Sequence, residues 1–62
     1  MYRVTITSTK PLFISISQSF DDCYKDIVRL MKIFKQPKPE KPEQQDLVEF
    51  SCGEYQLKIE RV

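Results

Sequence analysis

The sequence predicts an α+β domain with the element order ββαββ, in which a four-stranded, mostly antiparallel sheet carries one amphipathic helix on one face. Three observations predict this fold. One segment of the 62-residue chain has a sustained helical period, and an alternating, hairpin-like segment lies on each side of it. We therefore expect a single domain made of hairpin 2–17, helix 19–35, connector 36–46 and hairpin 47–62.

The helix is predicted by apolar residues that recur at spacings of three and four. They cover one side of the helix and are Phe20, Cys23, Tyr24, Ile27, Leu30, Met31 and Phe34. Ser19 is the expected N-cap, because its hydroxyl can accept a hydrogen bond from a backbone N–H of the first turn. Pro37 should end the helix, since the residue before a proline is disfavoured in the α region.

Both strands of the first hairpin alternate apolar and polar residues. The predicted inward set is Tyr2, Val4 and Ile6 from residues 2–7, and Leu12, Ile14 and Ile16 from residues 12–17. The register should match these sets, because a slip of one residue turns a whole set to the other face. A loop of three or five residues sets Val4 opposite Ile14, whereas a four-residue loop would set Val4 beside Ser15. We expect the first arrangement, which leaves Phe13 on the open face of the sheet.

The connector 36–46 holds three of the four prolines, so we expect it to be exposed and partly polyproline-like. Its reach leaves the strand order open. In the second hairpin, Cys52-Gly53 is the predicted two-residue loop, because glycine takes positive φ readily. That loop places one apolar set on the helix side, namely Val48, Phe50, Tyr55, Leu57 and Ile59. The cysteines are expected to be free thiols, with a Cys23–Cys52 disulfide as the alternative.

The composition argues against catalysis and against ligand binding. The chain has no histidine, one glycine and two cysteines. It therefore lacks the ligands of a structural zinc site, a glycine-rich phosphate loop and a serine beside an identifiable base. We expect no enzyme, cofactor, metal site or small-molecule substrate, and we interpret Asp22 and Asp26 as solvated acids. No apolar run approaches the ~18 residues of a membrane span and no leader precedes the first strand, so the expected location is cytoplasmic.

Apolar residues outside the predicted core indicate a protein-interaction surface. Phe13 and Leu47 are expected on the open sheet face, and Ile33 on the polar side of the helix. Arg29 and Lys32 lie nearby as charged groups that would steer a partner, either another protein or a second copy in a homodimer. The competing interpretation is that Leu47 and Ile33 pack under the connector. By analogy, a chain whose first strand begins at residue 2 is predicted to be a compact regulator or inhibitor of a larger protein, of the kind that phages and other mobile elements encode.

Nucleic-acid binding is the alternative function. Six of the ten basic residues lie within Lys25–Lys41, where Arg29, Lys32, Lys35 and Lys38 would follow the phosphates. The net charge of only +1 does not favour a polyanion, and the open sheet face offers only Phe13 as an aromatic residue that could stack on single-stranded bases. We therefore rank nucleic-acid binding second to protein binding.

Overall fold

The chain forms an antiparallel sheet of four strands with one helix, in a computed structural model that describes all 62 residues. The elements are β1 (Tyr2–Thr7), β2 (Pro11–Ser17), α1 (Phe20–Ile33), β3 (Leu47–Cys52) and β4 (Tyr55–Arg61). The strand order is β2-β1-β4-β3, and every neighbouring pair is antiparallel. The first and last strands thus pair in the centre of the sheet, while β2 and β3 form its edges. The predicted ββαββ fold is confirmed.

The helix begins and ends within the predicted segment. The Ser19 hydroxyl caps it by accepting from the backbone N–H of Asp22 at 3.1 Å. The helix lies over β1 and β2. Its buried side packs with the inner faces of the strands in one core, which comprises Val4, Ile6, Phe20, Cys23, Ile27, Met31, Val48, Cys52, Leu57 and Ile59. The helix has neither the length nor the apolar content needed to cross a membrane.

The helix ends in a Schellman motif that has lysine where glycine is usual. The Gln36 N–H donates to the Met31 carbonyl at 2.8 Å, and the Lys35 N–H donates to the Lys32 carbonyl at 3.1 Å. Lys35 has a φ of 60°, which is the left-handed region. An L-residue with a Cβ is strained there by about 1–2 kcal/mol.

Lys35→Gly is therefore expected to raise the free energy of unfolding by about 1 kcal/mol. Relief of the strain exceeds the extra entropy that glycine gains in the unfolded chain. Urea unfolding followed by circular dichroism measures the change. Lys35→Ala is the control, because it removes the same charge and keeps the Cβ. An equal gain in both variants would assign the effect to the lost charge, contrary to this account.

The first hairpin has a different register from the predicted one, and β2 is inverted as a result. Val4 pairs with Ser15 and Ile6 with Phe13, and an irregularity between Ile6 and Thr7 shifts the pairing by one residue. The loop has three residues, which is one of the two predicted lengths, but the bulge adds a residue to the β2 side of the ladder. The side chains of β2 therefore exchange faces.

This inversion overturns the predicted faces of all six residues from 12 to 17. Phe13 packs against the core on the helix side, so its predicted place on the open face is wrong. The predicted burial of the three aliphatic residues is also wrong, since Leu12, Ile14 and Ile16 are 45%, 62% and 55% exposed. The inward faces of Tyr2, Val4 and Ile6 in β1 are confirmed.

The second hairpin also turns at a different place. Cys52 pairs with Tyr55, so the loop is Gly53-Glu54 and the predicted Cys52-Gly53 loop is wrong. Gly53 has a φ of 60° at the first loop position, which is typical of a type II′ turn. Each strand residue is displaced from its predicted partner by two, and a shift of two keeps every side chain on its face. The predicted inward set is therefore confirmed, and Cys52 joins it as a buried residue.

Both cysteines are buried free thiols. Burial raises the pKa of the Cys23 thiol above its ordinary value. The Cys52 thiol donates to the Pro37 carbonyl at 3.3 Å. Cys23 thus packs within the core, and Cys52 packs where the core meets the connector.

The connector 36–46 is docked against the helix. The Tyr24 hydroxyl donates to the carbonyl of Pro39 at 2.6 Å, and Pro39 is buried. Lys41 forms an ion pair with Asp21 in the first turn of the helix. The expectation of an exposed connector is therefore wrong for Pro39. The segment runs back along the helix on the side of β3, where its residues 39–42 line a groove with Phe50.

Candidate protein-interaction surface

Three aliphatic side chains of β2 form an exposed column, which we call the apolar column: Leu12, Ile14 and Ile16. Ile14 lies beside Thr5 of β1, and Ile16 lies beside Arg3. No charged residue occurs in Pro11–Ser17. Single exposed apolar residues are ordinary on protein surfaces, but adjacent ones on one strand form a patch of the kind that marks an interface.

The reverse side of β2 explains why these residues point outward. The Ser17 hydroxyl donates to the Asp26 carboxylate at 3.3 Å. Ser15 and Phe13 line a shallow groove together with Asp26, Arg29 and Leu30 of the helix. The inner face of β2 therefore meets a polar flank of the helix, which suits serines better than branched aliphatic side chains.

The centre of the open face carries a charged network. Arg3 donates from Nε and Nη2 to one oxygen of Glu60, at 2.8 and 2.6 Å, and Lys58 lies 3.6 Å from the same oxygen. The hydrogen bonds from the Arg3 guanidinium hold the pKa of Glu60 below its ordinary value. This network separates the apolar column from Leu47. Leu47 lies on β3, the opposite edge strand, and pairs with Glu60 of β4. The open face is thus apolar along β2 and charged along β4.

The five residues predicted to contact a partner do not share one surface. Leu47 is 52% exposed on β3 and Ile33 is 65% exposed on the helix, so the interpretation that both pack under the connector is wrong. Phe13 faces the helix. Arg29 and Lys32 are exposed on the helix, where Arg29 donates to Asp26 at 2.9 Å. The apolar column takes the place that the sequence assigned to Phe13.

The cationic residues of the nucleic-acid alternative lie toward the C-terminal end of the helix and in the connector. Arg29 is paired with Asp26, whereas Lys32, Lys35 and Lys38 have no carboxylate within 4 Å. The open sheet face carries no aromatic side chain, because those of the strands all pack on the helix side: Tyr2, Phe13, Phe50 and Tyr55. That face therefore offers no platform on which bases would stack.

Two of the three carboxylates of the helix, those of Asp21 and Asp26, are engaged by neighbouring side chains, so the interpretation of Asp26 as a solvated acid is wrong. Asp26 accepts from Ser17 with one oxygen and from Arg29 with the other. The ion pair with Lys41 lowers the pKa of Asp21 from its ordinary value. No group of three or more histidine, cysteine, aspartate or glutamate residues is placed to hold a metal ion.

Comparison of the chain with protein-family models, with curated proteins and with solved structures finds no match. The apolar column is therefore interpreted from its own chemistry.

Proposed function

We propose that this chain is a small, non-catalytic protein-interaction module that regulates or inhibits a larger protein in the cytoplasm. It binds this larger protein through the apolar column. The observation that carries the proposal is the exposure of Leu12, Ile14 and Ile16, at 45%, 62% and 55%, on one strand that has no charged residue. Full burial of an aliphatic side chain is worth about 1.5–3 kcal/mol. Because these three side chains are already about half buried, covering them supplies about half of that amount each, which is part of the ~8 kcal/mol of a micromolar affinity.

The surroundings of the column fit the anatomy of an interface. Apolar residues form the centre of a typical interface, and polar groups form its rim. Here Thr5 and Arg3 border the column, and Arg3 is already held in place by Glu60. A partner with an apolar recess and hydrogen-bond acceptors at its margin would match this surface. The nucleic-acid alternative stays a prediction, and a steep loss of affinity with salt is its signature.

Photo-crosslinking followed by titration tests the proposal. A photoreactive side chain placed at Ile16 is expected to form adducts with one protein other than this chain, whereas the same group at Ile33 is not. The adduct partner is then purified and titrated. Ile16→Glu is expected to weaken binding by at least about 30-fold, the effect of a hot-spot residue. Ile33→Glu is the matched control, because Ile33 is at least as exposed as Ile16, at 65% against 55%, but lies on the helix.

Two results would contradict the proposal. One is a purified partner that binds the Ile16→Glu variant as tightly as the unaltered chain. The other is the absence of any adduct from Ile16 except with the chain itself. Adducts that form only from Ile33 would move the binding surface to the helix.

A further inference from the structure

The outer edge of β2 is open and lacks the usual protection. Natural edge strands are commonly blocked by charged residues, prolines, bulges or a covering segment. In β2 the proline and the bulge are confined to the end near Pro11, and residues 12–17 contain neither a charge nor a proline. The connector lies on the β3 side of the helix and does not cover this edge. Backbone N–H and C=O groups of β2 are therefore available to another strand.

We propose that two copies of this chain pair edge to edge through β2, antiparallel and across a two-fold axis at Ile14, to form one continuous eight-stranded sheet. This goes beyond the proposed function, because it uses the backbone edge of β2, and the apolar columns of the two copies would lie side by side on the open face of the sheet. The pairing sets Ile14 against Ile14 of the second copy and Leu12 against Ile16 of the second copy. Lys10 then faces Gln18 of the second copy, so that no like charges meet along the strands.

The helices are placed to pack against each other in this dimer. Each helix lies over β1 and β2. Since neighbouring strands are about 4.8 Å apart, each helix axis lies about 5 Å from the two-fold axis, and the two helices lie about 10 Å apart. That separation falls at the upper end of the range for packed helices. The strand pairing and the helix packing are therefore compatible in one arrangement.

The flank of each helix that lies along β2 would meet its symmetry copy in this dimer. Across a two-fold axis the helices run antiparallel, and this flank carries Asp26 and Arg29, which lie beside β2 and pair with each other within one chain. The flank therefore does not present charges of a single sign to its copy. Ile33 lies on the same stripe of the helix as Asp26 and Arg29, at spacings of seven and four. Its 65% exposed side chain would be covered at this contact.

The charges on the two edge strands favour β2 over β3 as the pairing edge. The residue pattern of β2 favours a second copy of this chain over an unrelated strand as its partner. The β3 edge carries Glu49 within the strand and Asp46 beside it, so two copies paired there would bring acidic residues together. The pattern of β2 is self-complementary, as a two-fold interface requires. A standard interface buries about 800 Å² per partner, roughly a fifth of the 4355 Å² surface of this chain. The strand edge and the helix flank would together have to provide this area, and a 62-residue domain has a small core that dimerisation would supplement.

Sedimentation equilibrium over a concentration series tests the dimer. The expected mass is twice 7.4 kDa, dissociating on dilution. Ile14→Lys is expected to raise the dissociation constant at least about tenfold, because two ammonium groups would meet across the axis. Leu47→Lys is the matched control, since it replaces an exposed aliphatic residue on the other edge strand and should leave the mass unchanged.

Cysteine crosslinking tests the register. Directly opposite side chains in paired strands have Cβ atoms about 4.5–5.5 Å apart, which a disulfide can bridge after small adjustment. Under diamide, which takes up the two electrons and two protons, Ile14→Cys alone is expected to crosslink the dimer. Leu12→Cys alone should not, whereas Leu12→Cys combined with Ile16→Cys should. Leu47→Cys is the control on the other edge, and the native cysteines are buried in every variant.

Three results would overturn the dimer: a monomeric mass at all concentrations up to about 1 mM, crosslinking through Leu47→Cys, or crosslinking by Leu12→Cys alone. These results are separate from those that test the proposed function. A monomer that binds its partner through Ile16 would retain the function without the dimer. A dimer with the predicted crosslinks and no protein partner would retain the dimer without the function.

Discussion

Replacement of Ile6 by alanine is expected to lower the free energy of unfolding by about 2–5 kcal/mol, whereas Ile14→Ala is expected to change it by less than about 1 kcal/mol. The two isoleucines lie in adjacent, paired strands, and the substitution removes the same atoms from each. Ile6 is 0% exposed and Ile14 is 62% exposed. The difference between the variants therefore measures burial.

Urea unfolding at a low, fixed protein concentration provides the comparison, because association would add a concentration-dependent term. A domain of this length has a total stability of roughly 3–9 kcal/mol, so Ile6→Ala will be partly unfolded. Ile6→Val, with an expected loss of about 0.5–1.5 kcal/mol, keeps the measurement within range. A loss at Ile14 as large as that at Ile6 would mean that β2 faces the other way. The apolar column would then be buried, and the proposed binding surface would not exist.

Periodicity was sufficient to predict the element order, the helix and the faces of β1, β3 and β4. In each of these elements, one side is clearly apolar and the other clearly polar, so only the apolar side can be buried in the core. The Ser19 cap and the apolar side of the helix follow from local chemistry for the same reason. The loop of the second hairpin lies one residue further along the chain than predicted. The predicted faces still hold, because this shifts the strand pairing by two residues and each side chain keeps its face.

The face of β2 could not be predicted in the same way. Its alternation of aliphatic residues with Phe13 and serines defines two faces but does not say which is inside. The bulge opposite Ile6 and Thr7, which adds one residue to β2, determines which of the two faces packs against the helix. The sequence carries no distinct signal for this bulge. Ser17 has a hydrogen-bond partner because the polar flank of the helix, with Asp26, lies above it, and Ser15 lies beside the same flank. That position depends on where the helix crosses the sheet, which is a tertiary property.

The candidate surface was accordingly predicted in part. The exposure of Leu47 and Ile33 followed from their places outside the apolar sets, and both are exposed. The alternation within β2 assigns the residues of the apolar column to the core, so it does not predict this surface. The absence of any charge in Pro11–Ser17 was the available signal, since an edge strand with a solvated face usually carries charges there.

Phe20→Ala is expected to have the largest effect on stability, a loss of about 3–5 kcal/mol. Phe20 is the first residue of the helix and is 2% exposed. Its ring meets that of Tyr2 edge to face, with centroids 5.7 Å apart. The Tyr2 hydroxyl in turn accepts from Gln44 of the connector at 3.2 Å. Phe20 therefore joins the start of β1, the start of the helix and the end of the connector.

The expected loss is comparable with the whole stability of a domain of this size, roughly 3–9 kcal/mol, so the variant should lose much of its helical circular dichroism at 25 °C. Phe34→Ala is the matched control at the other end of the helix. Phe34 stacks on Tyr55 with centroids 5.0 Å apart but is only half-buried, so its loss should be smaller, about 1–3 kcal/mol. Equal losses at the two ends would contradict the difference in burial. The contrary result is a Phe20→Ala variant that keeps its native spectrum and has a free energy of unfolding within about 1 kcal/mol of that of the unaltered chain. It would show that the first turn of the helix does not pack on β1. The position of the helix over β1 and β2 would then be wrong, and the dimer depends on that position.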